Sequence, residues 1–213
     1  MTKAAVPLLI VLGVLIGLST HTVVNCGDED EPDICSAVIG FSPFRGSLIA
    51  FAYEGRGRIA LRHGDHRRAI ADFNEAIHLN PNRASFYRDR ALAYRQNGEV
   101  ELAIADFDDA IALDPKLAAP YHERGLALAA KGDLDRAILS YSTAVRLDPS
   151  DAQARFDRGM AFLARGQADD ARADFEAALA LPPGKDGRTH DAARTKLAEL
   201  TRAGPTQVST PRR

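Results

Sequence analysis

The phrase AIADFNEAIHLNP at residues 69–81 returns as AIADFDDAIALDP at 103–115, AILSYSTAVRLDP at 137–149 and ARADFEAALALPP at 171–183. The copies start at positions 69, 103, 137 and 171, a constant interval with no insertion or deletion. No other feature constrains the chain as strongly. A fixed period of this length marks a supersecondary unit that cannot bury its own apolar surface, so neighbouring units must stack.

Residue types recur in phase within each unit. Tyr53, Tyr87 and Tyr121 open three units, and Phe156 stands one place late in the fourth. Arg56, Arg90, Arg124 and Arg158 follow, then the small residues Gly57, Ala91, Gly125 and Gly159. Gly64, Gly98, Gly132 and Gly166 lie mid-unit, and Pro81, Pro115, Pro149 and Pro183 close the units. The mid-unit glycines permit the left-handed conformation that ends a helix. The prolines stop a helix from continuing. Between these breakers the apolar residues fall three and four apart, as in Ala69, Ile70, Phe73, Ala76 and Ile77, so one helix face is apolar. Each unit therefore reads as two antiparallel helices. The small residues let the first helix lie close on the second, and the aromatics Phe73, Phe107, Tyr141 and Phe175 fill the remaining space.

This pattern resembles the tetratricopeptide repeat (TPR) family over residues 50–183. The resemblance implies an all-α, right-handed solenoid of stacked helix pairs, a protein–protein interaction role, no enzymatic activity and no cofactor. The expected organisation is an export segment at 1–25, a half-repeat at 26–49, repeats at 50–83, 84–117, 118–151 and 152–185, a capping helix at 186–203 and a tail at 204–213. On the capping helix, Ala193, Leu197 and Leu200 fall on one face. The recurring arginine stands where the family most often has leucine. Asp72, Asp106 and Asp174 share a phase that Ser140 breaks. Each arginine either reaches the aspartate of its own unit or lies along the surface with a solvated head.

The N-terminus differs from the array. The uncharged apolar run 4–18 follows Lys3; it is shorter than the roughly 20 residues a spanning helix needs and fits a secretory core. Three readings stand: a cleaved signal peptide, an uncleaved anchor, and a lipoprotein signal in which Asn25 replaces the small residue expected before Cys26. Export places the rest of the chain in the periplasm or another extracytoplasmic space, with membrane contact only through this segment if it is retained. Cys26 and Cys35 are the only cysteines; in an oxidising compartment they are expected to form a disulfide. DICSAVIG lies in phase with AIADFNEAI, one period earlier. The beginning resembles exported bacterial repeat proteins in which such a bridge staples a truncated leading unit.

No catalytic or metal-binding constellation emerges. His63 and His66 flank a helix-ending glycine, His78 and His122 read as isolated, and Asp108–Asp109 and Asp169–Asp170 read as solvated. Ser140 and Ser142 have no histidine and acid at a recurring spacing. GRGR at 55–58 lacks the strand that precedes a phosphate loop. A net charge of -2 provides no overall field towards nucleic acid.

Function is then expected on the surface. By family resemblance, the concave groove for a peptide or partner helix is walled by Phe51, Glu54, Arg58 and Arg62, then Arg88, Leu92 and Arg95, then His122, Leu126 and Ala129, then Phe156, Met160 and Leu163. This wall runs from basic to apolar, which suits a segment with an acidic and an apolar end. Glu54, Asp89, Glu123 and Asp157 occupy or neighbour the places of the Lys/Asn/Arg clamp with which some family members hold C-terminal carboxylates, so that clamp is absent. The alternative is a membrane-anchored scaffold that associates with itself.

Overall fold

The computed structural model describes residues 39, 46–183 and 187–203. The export segment, the Cys26–Cys35 bridge and the 204–213 tail lie outside the described residues, as does nearly all of the half-repeat. The described residues form nine α-helices and no strand. They are α1 (Ser47–Arg62), α2 (His66–Leu79), α3 (Ala84–Gln96), α4 (Val100–Leu113), α5 (Ala118–Ala130), α6 (Leu134–Leu147), α7 (Ala152–Ala164), α8 (Ala168–Leu179) and α9 (Arg188–Ala203). The chain divides into two compact units, Met1–Pro115 and Lys116–Arg213. In the first, α1 packs on α2, α3 on α4, and α2 on α3. In the second, α5 packs on α6, α7 on α8, α6 on α7, and α8 on α9.

The mid-unit glycines make the expected turns. Gly64, Gly98, Gly132 and Gly166 take φ of 76° to 85°, a region costly for a residue with Cβ. In the first repeat, Gly64 N–H donates to Leu61 O at 3.1 Å and Asp65 N–H to Ala60 O at 2.9 Å. That pair of bonds satisfies carbonyls the helix end would otherwise leave bare. Asp65 and Asp133 then cap α2 and α6, accepting from the N–H of Arg68 and Arg136.

Phe73, Phe107, Tyr141 and Phe175 are buried, each worth about 1.5–3 kcal/mol on leaving water. The small residues opposite make room for them. A Cβ at Gly57, Gly125 or Gly159 would stand 2.8, 2.5 or 2.7 Å from a ring carbon of Phe73, Tyr141 or Phe175. Phe86 of α3 packs with Ala50 and Ala76, tying the second repeat to the first. On α9, Ala193 and Leu200 are buried and Leu197 partly so, against Ala171 and Phe175 of α8, which is the capping contact expected.

The start of α1 departs from expectation. The first helices of the later repeats begin at Ala84, Ala118 and Ala152, one period apart, which projects back to Ala50. Instead α1 begins at Ser47. Ser47 stands where the other repeats carry their breaking proline, so nothing prevents one more turn.

Candidate peptide-binding faces

The recurring arginines are committed to the fold. Arg56 donates Nε–H and Nη2–H to Asp72 at 2.9 and 2.6 Å, Arg90 does so to Asp106 at 2.7 Å each, and Arg158 to Asp174 at 2.8 and 2.6 Å. Of the two readings open in the sequence, the structure selects the pairing. Arg90 Nη1 also donates to Asn74 at 2.7 Å and Arg158 Nη1 to Ser142 at 3.1 Å, so each guanidinium joins the second helices of two successive repeats. In the third repeat Arg124 Nε donates to Ser140 Oγ at 3.2 Å.

The expected wall uses other residues of the first helices. In the first unit Arg58 and Arg62 are exposed on α1, and Arg88, Leu92 and Arg95 are half-buried on α3. Phe51 meets Phe86 edge to face, with ring centroids 5.9 Å apart, and the Arg83 guanidinium lies 4.9 Å from its centroid. Arg88, expected on the basic part of the wall, donates its Nε and Nη2 to Asp89 Oδ1 at 2.9 and 2.6 Å. Arg58 Nε approaches Asp89 Oδ2 at 3.4 Å. One buried carboxylate thus hydrogen-bonds Arg88 and lies within ion-pair distance of Arg58 on the preceding first helix. Glu54 is also buried. Burial pushes its carboxyl above the ordinary carboxylate range and Asp89 adds to this, while Ser85, Arg58 and Arg83 oppose.

The second unit presents different chemistry. His122 reads in the sequence as isolated, yet its Nε2 lies 2.8 Å from Asp157 Oδ2 and its ring 5.7 Å from that of Tyr141. The Asp157 carboxylate also accepts from Gln153 Nε2 at 3.1 Å, and Thr189 Oγ1 of α9 donates to Gln153 Oε1 at 2.6 Å. Burial alone would lower the His122 pKa. The hydrogen bond and charge of Asp157, with Asp151 and Glu123, outweigh it and raise the value above 6.5. Leu126 is half-buried on α5. Phe156, Met160 and Leu163 are partly buried against the cluster of Phe175 and Ala193, so part of the apolar wall already serves the seat of α9.

Sequence reasoning missed Asp89 as a shared acceptor and His122–Asp157 as a pair. For the second a signal was present: Asp157 follows His122 by one period plus one position. His63 and His78 are exposed and His66 opens α2, as expected. Among the described residues, no three His, Cys, Asp or Glu gather closely enough to hold a metal ion. No described helix is long and apolar enough to cross a membrane.

Helix pairs repeating at one fixed period, with the candidate binding side chains on first-helix faces, define a helical-repeat protein. The chain belongs to the tetratricopeptide repeat family: the family's model matches residues 55–118 and 122–186, more than half of the 213 residues. No curated protein matches the chain in sequence. Among solved structures it is similar to MamA, with 22% identity and a TM-score of 0.64 over 77% of this chain and 89% of that one. It is also similar to YrrB, described as a TPR protein with an unusual peptide-binding site, at 18% identity and TM-score 0.61 over 76% and 81% of the two chains. The first TPR of Spaghetti, bound to an HSP90 peptide, matches at 22% identity and TM-score 0.56 over 59% of this chain and 99% of that one. At these identities the likeness is one of fold.

Proposed function

We propose that this chain is a non-enzymatic interaction protein of the bacterial cell envelope, whose first-helix faces bind a peptide or helix of a partner protein. The observation that carries this reading is the Arg58–Asp89–Arg88 cluster. It places two guanidiniums side by side on first helices, whereas Arg56, Arg90 and Arg158 are turned to Asp72, Asp106 and Asp174 on second helices. The peptide-bound Spaghetti structure and the YrrB description support the use of this fold for such a face. The acidic residues at 54, 89, 123 and 157 argue against the clamp for C-terminal carboxylates. The envelope location rests on the apolar run 4–18 and the two cysteines that follow it.

Photo-crosslinking in the producing cell tests the reading. A crosslinker at Leu92 or Leu126 should capture a partner, and one at Leu139 should not. Leu139 is 66% exposed and Leu102 47% exposed, both on second helices, and these leucines favour the second reading, a self-associating scaffold. Adducts confined to Leu139 and Leu102, with a mass by light scattering of several chains, would replace the binding module with the scaffold. Fractionation with mass measurement of the mature N-terminus checks the location.

A further inference from the structure

We propose that two copies of this chain associate across a two-fold axis through α6, with Leu139 of one copy packed on Leu139 of the other. The repeats themselves supply the comparison. Leu139 stands one period from Ala105 and from Ala173 and two from Ala71, so the other second helices carry alanine at this phase. All four positions are exposed. The third repeat alone turns a large apolar side chain outward here. Among the described residues Leu139 is the most exposed large apolar side chain, at 66%. Stacking does not require it, because alanine serves at the same place in the other repeats.

The side chains in line with Leu139 identify the occupant. Asp135, Leu139, Ser142 and Arg146 follow at intervals of four, three and four, which sets them along one stripe of the helix. The stripe runs acid, leucine, hydroxyl, base over about 16 Å. Opposite charges at its two ends make it complementary to a copy of itself laid antiparallel. Asp135 then meets Arg146 of the second copy, Arg146 meets the Asp135 of that copy, and the leucines close the middle. Such reciprocal contacts are isologous and close at two copies. At the two end phases the other repeats carry Arg67 and His78, Glu101 and Ala112, and Asp169 and Ala180; none sets an acid against a base. Arg146 is exposed. Asp135 also meets Arg165 but keeps 74% of its side chain exposed. The contact uses a second helix and leaves the first-helix faces to a partner protein, so it does not depend on the binding reading.

The test uses the chain as purified from the producing cell. A contact centred on one helix is small, so the pair should form as concentration rises, and light scattering should reach the mass of two copies. A photo-crosslinker at Leu139 should join two copies of this chain and no partner protein. Leu139→Ala installs the residue of the other repeats, so the fold should persist by thermal melt. The dissociation constant of the pair should nevertheless rise at least about tenfold, since two leucines return to water at once. Leu102→Ala on α4 should leave the pair unchanged. Arg146→Asp should weaken it, and adding Asp135→Arg should restore it, because the stripe then reads base, leucine, hydroxyl, acid. The mass of a single copy at the highest attainable concentration would overturn the proposal. So would a pair that Leu139→Ala leaves as tight as before, a swapped variant that does not recover, or a mass of more than two copies. Adducts at Leu92 or Leu126 in the Leu139→Ala chain test the partner-binding reading separately, whichever mass is found.

Discussion

Arg90 and Arg124 stand at the same phase of the second and third repeats and end on different acceptors. Arg90 is clasped by Asp106 through two bonds of 2.7 Å. Arg124 reaches the Ser140 hydroxyl at 3.2 Å. Their surroundings are otherwise alike, each guanidinium lying over the opening tyrosine of its repeat, 5.7 Å from Tyr87 and 5.5 Å from Tyr121. The acceptor on the repeat's own second helix is charged in one and neutral in the other. Burial raises the Asp106 pKa against the pull of Arg90, whereas a buried serine has no charge to desolvate. A buried ion pair often does little better than a neutral substitute, so the array accepts either solution. The pair contributes direction: two parallel bonds hold the guanidinium in one plane, from which Arg90 also reaches Asn74.

The largest effect should come from breaking the third repeat where it relies on helix contact rather than charge. Gly125→Pro places a ring inside α5 at a position where even a Cβ would stand 2.5 Å from Tyr141 Cε1. It should cost about 3 kcal/mol or more, read as a fall in the urea midpoint. Unchanged stability would remove Gly125 from the helix interior.

Next in size is Asp106→Ala, which strands the Arg90 charge. Because Arg90 keeps a solvated edge, the loss should be about 2 kcal/mol, below that of a fully buried pair. Ser140→Ala, its counterpart, removes a neutral acceptor and should cost about 1 kcal/mol. Equal losses in these two variants would show that the aspartate adds nothing beyond a hydrogen bond. Ser140→Asp sharpens the comparison by giving the third repeat the charge of the second, and should raise stability by less than about 1 kcal/mol.

The smallest expected effect is the pH dependence from His122. Its folded pKa is raised, so the charged form is favoured in the native chain and the stabilisation is complete below the ordinary value of 6.5. That contribution is lost as pH rises through the higher folded value. Urea midpoints measured upward from pH 6.5 should therefore fall more for the unmodified chain than for His122→Gln or Asp157→Asn. Parallel profiles would remove His122–Asp157 from the stability of the second unit.

Much of the fold was legible because the period repeats each local signal. Glycine at 64, 98, 132 and 166 announced four turns, and an arginine sixteen positions before an aspartate in three repeats offered the ion pairs as one of two readings. The candidate site was less legible. Asp89 receives Arg88 from its own helix and Arg58 from the preceding first helix; no single spacing signals a carboxylate serving two partners. His122 read as isolated because its acid lies more than a full period away, on the next first helix of the second unit.

The sequence by itself determined what is local and periodic: helix against turn, the small residue opposite each aromatic, the proline ends and the family. Such features depend on backbone preference and on residues three, four or sixteen apart, which every copy restates. The tertiary structure alone decided which charges remain available. Whether an arginine on a first helix is a free cation or half of a pair depends on the carboxylate that packing brings beside it. The 3.4 Å between Arg58 and Asp89 is set by how closely α1 and α3 approach, and that approach is governed by the buried volumes of Phe86, Ala50 and Ala76 between the repeats.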